Sequence, residues 1–194
     1  MTALTARYDE GLSYAADLHR TQVRKGTAIP YLAHLLGVSS LVLEAGGDED
    51  QAIAGLLHDA VEDQGQQTSY EEIARRFGER AAGIVLACSH SEYGGDEPTD
   101  PIERWRWRRE QYLAHLKQAP LDVLMVSRAD KLHNARAIVL DLDEHRAAVW
   151  SRFRTGAEGQ LWYYGCLADI FTRRIPGPQT RALVAAVDAM RSSS

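Results

Sequence analysis

The stretch "LLHDAVED", residues 56–63, joins an apolar helical face to a dense group of ionisable side chains. The apolar face is formed by Leu56, Leu57, Ala60 and Val61. The ionisable side chains are His58, Asp59, Glu62 and Asp63. Clustered carboxylates repel one another and are costly to desolvate, and a divalent cation would offset that cost. The alternative is the solvated end of an amphipathic helix, so this stretch alone leaves both interpretations open.

Helical spacing dominates the rest of the chain. It predicts helices over Tyr8–His19, from Leu32 to the Gly46-Gly47 pair, from Asp48 through "LLHDAVED", and over Ser69–Gly78, Arg80–His90, Ile102–Lys117, Leu121–Ile138, Glu144–Phe153, Glu158–Arg174 and Arg181–Arg191. Residues 91–101 are rich in Gly, Asp and Pro and predict a loop. Only "AIVLDLD", residues 137–143, is ambiguous with a strand. We therefore expect a single all-α domain.

Composition narrows the possible function. The 194 residues carry a formal net charge of -5, so there is no global basic surface for nucleic acid. A polyanionic ligand must then meet a local basic patch or a metal ion. Cys88 and Cys166 are far apart and form no disulfide framework. The chain shows neither a signal peptide nor a membrane span, so we expect a cytoplasmic protein with no membrane partner.

Two further segments supply candidate metal ligands. "YLAHLLGV" places His34 within an apolar helix, where a lone histidine is more often a hydrogen-bonded core residue. "SRADKLHNAR" places Asp130 after an apolar run, where Arg128 or Lys131 could pair with it instead. Taken together, the candidates make a plausible site with two histidines and two aspartates: His34, His58, Asp59 and Asp130. Nitrogen and oxygen donors without a thiolate suit Mn²⁺ or Fe²⁺, and zinc stays open.

The segments "RKGTAIPYLAHLLGV", "LLHDAVED" and "SRADKLHNAR" occur in an order that resembles the HD superfamily of metal-dependent phosphohydrolases. The resemblance is strongest to the hydrolase domain of RelA/SpoT-homologue proteins and to the free-standing small alarmone hydrolases. It covers about residues 14–138, with C-terminal helices over 144–191. It implies a helical HD-fold bundle, one hydrolase domain over residues 1–194, and a metal, typically Mn²⁺, held by the four candidate ligands.

The resemblance also implies an activity. This is hydrolysis of the 3′-pyrophosphate of guanosine tetra- or pentaphosphate (ppGpp, pppGpp) to GDP or GTP, with Glu62 and Asp63 as the catalytic acids. The alternatives are an HD phosphohydrolase acting on adenosine alarmones, nucleoside monophosphates or a dinucleotide phosphate, and a catalytically silent nucleotide sensor. Binding alone does not require Glu62 and Asp63, which favours an enzyme.

Substrate contacts follow from the same resemblance. Arg24 and Lys25 match a basic pair before the first ligand helix, and Asn134 matches a nucleotide contact. For Lys25 a solvated helix end is nearly as good an interpretation. The basic stretch "ERWRWRRE", residues 103–110, adds Arg108 and Arg109 near the pyrophosphate, while we expect its tryptophans to pack internally.

The chain also departs from the family pattern. Leu35 replaces a frequent proline, and His133 stands where an aromatic residue is common. The His133 position leaves the purine preference open. The sequence also leaves the oligomeric state open.

Overall fold

The structure is a computed structural model that describes residues 3–89 and 97–193. Part of the predicted loop over residues 91–101, and the predicted end of a helix at His90, lie outside these ranges. In the described residues the chain forms helices and one isolated antiparallel bridge between Val23 and Pro30, with no β-strand. The all-α class predicted from the sequence is confirmed.

The α-helices lie close to their predicted positions. They are α1 (Ala6–Leu18), α2 (Leu32–Glu44), α3 (Glu49–Leu57), α4 (Ala60–Gln64), α5 (Tyr70–Phe77), α6 (Glu79–Cys88), α7 (Pro101–Leu116), α8 (Leu121–His145), α9 (Gly156–Arg174) and α10 (Pro178–Ser192). A 3₁₀ helix spans Arg146–Arg152, between α8 and α9. None of the described helices is both long enough and apolar enough to cross a bilayer.

Two helices begin at capping residues, at the positions where the sequence predicts these helices to start. Asp48 accepts a hydrogen bond from the backbone N–H of Gln51, and the Gln51 side chain accepts one from the backbone N–H of Asp48. This capping box pairs two amide groups that the first turn of α3 would leave unsatisfied. Ser69 caps α5 by accepting a hydrogen bond from the backbone N–H of Glu72. At Gly78 a positive φ of 87° ends α5, a conformation that glycine adopts at little cost.

The described chain falls into two compact units. The first contains α1 to α6 together with the opening of α8, Leu121–Asp130. Its central helix is α3, which packs against α1, α2 and α6 and buries Ile53, Leu56 and Leu57 completely. Gly55 allows α2 and α3 to approach closely, because a Cβ at this position would lie 3.1 Å from Cα of Ser39. In the first unit, "LLHDAVED" therefore begins on the core helix α3 and continues past the end of that helix.

The second unit contains α7, residues 131–145 of α8, the 3₁₀ helix, α9 and α10. Helix α9 packs against α7, α10 and the 3₁₀ helix and buries Leu167 and Phe171. Arg174, near the end of α9, donates to the carbonyl oxygens of Leu116, Lys117 and Ala119. Its guanidinium thus satisfies carbonyl groups that the end of α7 leaves without a helical partner.

Two predicted boundaries are wrong. The helix expected to carry all of "LLHDAVED" ends at Leu57, and a separate helix begins at Ala60. The helix expected to end near Ile138 continues to His145, so the ambiguous segment 137–143 is helical and no helix begins at Glu144. Helix α8 contains neither Gly nor Pro, and its β-branched residues reduce helix stability only slightly. It ends where Arg146 takes a positive φ of 55°.

Candidate metal centre and active site

The four predicted metal ligands lie together in the first unit. His34 is in the first turn of α2, and His58 directly follows α3. Asp59 occupies the junction between α3 and α4, and Asp130 lies on α8. Nε2 of His58 is 3.0 Å from Oδ2 of Asp59 and 3.6 Å from Oδ1 of Asp130. Nε2 of His34 is 3.3 Å from the same Asp130 oxygen and 3.9 Å from the Asp59 oxygen.

These separations suit a shared metal ion. Donor atoms bonded at about 2.1 Å to one ion are about 3.0 to 3.4 Å apart in octahedral or tetrahedral coordination. Ligand atoms of His34, His58 and Asp59 all lie within 4.8 Å of one another. Both imidazoles are almost fully buried, with 1% and 2% of their side-chain surfaces exposed. Small shifts of the side chains would bring the donors of this group to bonding distance.

The break between α3 and α4 explains how two adjacent residues reach one point. Neighbouring side chains on an ideal helix diverge by about 100°. At Asp59 the backbone has φ −101° and ψ 0°, outside the regular helical values, and α4 restarts at Ala60. The interruption turns the Asp59 carboxylate toward His58. The sequence predicts a continuous helix here, and that prediction is wrong. The break lies at the residues whose side chains have to converge.

Hydrogen bonds orient the ligands. Nδ1 of His58 lies 3.0 Å from the carbonyl oxygen of Gly55. A carbonyl can only accept, so Nδ1 carries the proton and Nε2 presents its lone pair to the site. The Tyr31 hydroxyl donates to Oδ2 of Asp59. The Tyr31 ring meets the His34 ring edge-on at 5.4 Å, and the rings of His34 and His58 meet in the same way at 5.2 Å.

The electrostatics of this group of side chains favour a bound cation. Burial lowers the pKa of His34 below its usual value. Burial also opposes protonation of His58, but the Asp59 and Asp130 carboxylates raise its pKa well above the usual value. His58 in turn lowers the pKa of Asp59 despite burial, and burial together with Asp59 raises the pKa of Tyr31. The half-buried Asp59 carboxylate and the buried Asp130 carboxylate thus attract positive charge, which a proton or a metal ion can supply.

The predicted acid pair lies on α4, one turn beyond Asp59. Glu62 and Asp63 are both exposed. Asp63 accepts a hydrogen bond of 2.7 Å from Nε2 of Gln22. Partial loss of hydration raises the pKa of the Asp63 carboxyl, the Gln22 bond opposes this, and the charges of Asp59 and Glu62 raise the pKa further. A carboxylate with a raised pKa is a better proton acceptor than an ordinary surface aspartate.

Arg24 and Lys25 lie on a narrow hairpin between α1 and α2. The backbone N–H of Tyr31 donates to the Gln22 carbonyl at 2.9 Å, and that of Arg24 donates to the Ile29 carbonyl at 2.9 Å. Gly26, with φ 75°, lies in the turn. The two cations therefore lie on a loop and not at a helix end. Arg24 is half-buried and Lys25 is exposed.

The remaining predicted substrate contacts belong to the second unit. Asn134 lies on α8. Arg108 forms an ion pair with Glu97, and the Arg109 guanidinium is 4.8 Å from the centre of the Tyr163 ring. Trp105 packs edge-on against Trp162 with 6.1 Å between ring centres, which confirms its predicted packing role.

Three residues next to the predicted metal ligands were not identified from the sequence. They are His19, Gln22 and Tyr31, which contact one another or the acidic side chains. His19 fits the apolar spacing of α1, so the pattern indicates a packing residue. Gln22 belongs to no recognisable sequence motif. Tyr31 immediately precedes the ligand helix, and that adjacency was the one available signal.

Comparison with known proteins places the chain in a family. Residues 11–159 match the HD domain family. The chain belongs to that family. This HD protein is 35% identical over 148 residues to "guanosine-3′,5′-bis(diphosphate) 3′-pyrophosphohydrolase MESH1" of Xenopus tropicalis, covering 75% of the chain and 74% of that protein. It is 34% identical over 153 residues to the Drosophila melanogaster protein of the same name, covering 77% of each.

A longer relative shares only one segment with this HD protein. The probable guanosine-3′,5′-bis(diphosphate) 3′-pyrophosphohydrolase of Synechocystis sp. is 38% identical over 125 residues, which is 64% of the chain but 16% of that protein. Among solved structures, a metazoan orthologue of SpoT described as hydrolysing ppGpp matches with a TM-score of 0.75 and 25% identity, covering both chains fully. A Listeria monocytogenes protein matches at 26% identity with a TM-score of 0.68, over 84% of this chain and 99% of its own. The predicted HD fold is confirmed.

Proposed function

We propose that this HD protein is a metal-dependent hydrolase that removes the 3′-pyrophosphate of ppGpp and pppGpp. The observation that carries the proposal is the convergence of His34, His58, Asp59 and Asp130, with an acid pair one turn beyond Asp59. The MESH1 proteins, named for this reaction, resemble the chain over three-quarters of its length. Residues 1–194 would act as one hydrolase domain, and a free nucleotide substrate makes the cytoplasm the expected compartment.

The metal in the proposal is Mn²⁺, held by the two histidines and two aspartates. Imidazole and carboxylate donors without a thiolate favour Mn²⁺ or Fe²⁺ over a structural zinc. The His58 tautomer, with its lone pair on Nε2, supports a ligand role, and so does the carbonyl contact that fixes it. When bound, a divalent ion lowers the pKa of water and offsets charge on phosphate oxygens.

The chain's own residues would move the protons. Glu62 and Asp63 would take a proton from the attacking water and return one to the ribose 3′ oxygen. In the net reaction the water oxygen bonds to the phosphorus next to the ribose, the bond from that phosphorus to the 3′ oxygen breaks, and pyrophosphate leaves. The raised pKa of Asp63 supports its role as a proton acceptor.

Local cations would hold the substrate, because the chain as a whole carries a net charge of -5. Arg24 would lie beside the base and Lys25 near phosphate, both presented by the hairpin between α1 and α2. A guanidinium stacks well on an aromatic base, which supports Arg24 in that position. Asn134 would contact the ribose or phosphate, and Arg108 and Arg109 the pyrophosphate.

A second candidate substrate is the adenosine counterpart of the same alarmone. His133 stands where the resembling hydrolases commonly have an aromatic residue, and this change favours a test of both bases. Initial rates of pyrophosphate release from guanosine and adenosine 3′,5′-bis(diphosphate), measured with Mn²⁺-loaded protein, would rank them. We expect release from the guanosine compound. Release from neither would refute the proposed function.

A further inference from the structure

A chain of side-chain hydrogen bonds ends on Asp63. We propose that Gln22, held in place by His19 and Gln64, is a positioning residue that fixes the Asp63 carboxylate for proton transfer. The inference rests on the proposed function, because it gives Asp63 its role in that reaction. It adds a residue directly after α1, one from the hairpin and one from α4 to a site otherwise described by metal ligands and acids.

Three contacts define the arrangement around Gln22. Its Nε2 donates to Oδ2 of Asp63 at 2.7 Å. Its Oε1 accepts from Nε2 of Gln64 at 2.8 Å and lies 2.7 Å from Nδ1 of His19. The Gln22 amide is therefore bonded on both its nitrogen and its oxygen.

The direction of each bond follows from the chemistry of its partners. An ionised carboxylate can only accept, so Gln22 must turn its NH₂ toward Asp63 and its oxygen toward His19. That oxygen can only accept, so Nδ1 of His19 carries a proton. Hydrogen bonds aligned in this way polarise one another, which strengthens the bond from Gln22 to Asp63. The arrangement thus presents a preoriented N–H donor to Asp63.

The backbone and the ring of His19 keep this donor rigid. The N–H of Gln22 donates to the His19 carbonyl at 3.1 Å, and the Gln22 carbonyl accepts from the N–H of Tyr31 at 2.9 Å. His19 is 2% exposed, and its ring stacks on that of Tyr31 at 5.4 Å with an interplanar angle of 28°. Tyr31 in turn donates to Asp59. Gln22 is thereby tied to the same group of side chains as the metal ligands.

Asp63 needs an external anchor. It lies on α4, a helix of only five residues, and is exposed. The carboxylates of Asp59 and Glu62 repel its charge. Without the Gln22 donor these repulsions would favour rotamers that turn the carboxylate away from the metal cluster. Because misplacing a reacting group by about 1 Å can reduce a rate by about 100-fold, a positioning bond is expected to affect turnover.

Gln22→Met tests the proposal, since methionine keeps the length of the side chain and removes the donor. With Mn²⁺-loaded protein we expect kcat for pyrophosphate release to fall about tenfold or more, with KM and metal content changed less than about twofold. The acidic limb of the pH–rate profile should also move to higher pH, because loss of the donor disfavours ionised Asp63. Gln66→Met is the matched control, an exposed amide in the turn after α4, and should match wild type.

A second pair of variants isolates the His19 bond. Asn and Leu have similar size and shape, and both remove the imidazole ring, but the Asn amide can still donate to Gln22. Assayed below the unfolding temperature of both, His19→Asn should keep several-fold more of the wild-type kcat than His19→Leu. Equal rates for the two variants would show that His19 contributes only packing and would overturn its part in the proposal.

The outcomes separate this inference from the proposed function. If wild type releases pyrophosphate and Gln22→Met does so equally fast, the inference fails and the function stands. Loss of metal in Gln22→Met would also overturn it, because the residue would then support the metal centre. If wild type releases none, the function fails and the role of Gln22 in proton transfer fails with it, while ¹³C NMR titration of the Asp63 carboxyl in Mg²⁺-loaded protein still tests the contact between Gln22 and Asp63. A higher pKa in Gln22→Met supports the contact, and an unchanged pKa refutes it.

Discussion

Two aspartates and a glutamate within five positions have different environments, and we expect these environments to give them different roles. Asp59 lies 3.0 Å from His58 and accepts a hydrogen bond from Tyr31. Glu62 and Asp63 are exposed, and their negative charges repel one another. A half-buried carboxylate close to two imidazoles suits metal binding, whereas a more exposed carboxylate suits proton transfer.

Substituting one member of each group tests this division. Asp59→Asn removes a charged donor, so we expect it to weaken metal binding and abolish turnover together. Glu62→Gln should retain the metal and lose about 10²-fold to 10⁴-fold in kcat, as expected for a general acid or base. Metal content by elemental analysis, measured beside the rate, distinguishes the two. Equal metal loss in both variants would contradict the assignment.

Tyr31 contacts two of the proposed metal ligands and is not itself one of them. Its hydroxyl donates to Asp59, and its ring contacts His19 and His34. Tyr31→Phe removes the hydroxyl and keeps the ring, so we expect metal affinity to fall about 10-fold to 100-fold, as for other partners of metal ligands. Titration with Mn²⁺ would measure this. Unchanged affinity would mean that the hydroxyl does not orient Asp59.

At the scale of elements, the sequence predicts which segments are helical better than where a helix breaks. The Asp48 and Ser69 caps and the glycine at 78 act through neighbouring residues, so local patterns reveal them. The break at Asp59 depends on side chains from α2 and α8 that lie far away in sequence. The extension of α8 to His145 was missed because its β-branched residues imitate a strand pattern.

The same limit explains the missed residues of the site. The four predicted metal ligands can be identified from the sequence because they belong to motifs with a fixed order. They are His34, His58, Asp59 and Asp130. Gln22 reaches Asp63 across 41 positions of the chain, and nothing in its immediate sequence records that contact. Hydrogen bonds between distant segments become visible only in three dimensions.

The close contact of α2 with α3 depends on Gly55, which has no side chain. A Cβ at Gly55 would lie 3.1 Å from Cα of Ser39, a backbone atom that cannot move aside easily. We expect Gly55→Ala to reduce the free energy of unfolding by about 1 to 3 kcal/mol through overpacking. Urea unfolding would measure the change.

Gly83→Ala is the control for this substitution. Gly83 lies within α6, and a Cβ there meets no atom within 4 Å. Alanine should raise stability at this position by about 0.5 to 1 kcal/mol, because glycine weakens helices. Destabilisation by both variants would show a general intolerance of alanine and would contradict close packing at Gly55.

On the scale of the whole molecule, metal binding should add to the stability of the fold. The proposed ligands come from α2, the α3–α4 junction and α8, so an ion held by them would link separate parts of the first unit. A ligand at 100 times its Kd stabilises the folded state by about 2.7 kcal/mol. We expect chelation to lower Tm by several degrees and Mn²⁺ to restore it. A Tm unaffected by both would contradict the site.

We propose above all that the chain releases pyrophosphate from the 3′ position of a guanosine alarmone. The most direct measurement is ion chromatography of the products after Mn²⁺-loaded protein is incubated with ppGpp and pppGpp, with Asp59→Asn as control. We predict GDP or GTP with an equal amount of pyrophosphate, absent in the control. Orthophosphate in place of pyrophosphate, or no product at all, would contradict the claim.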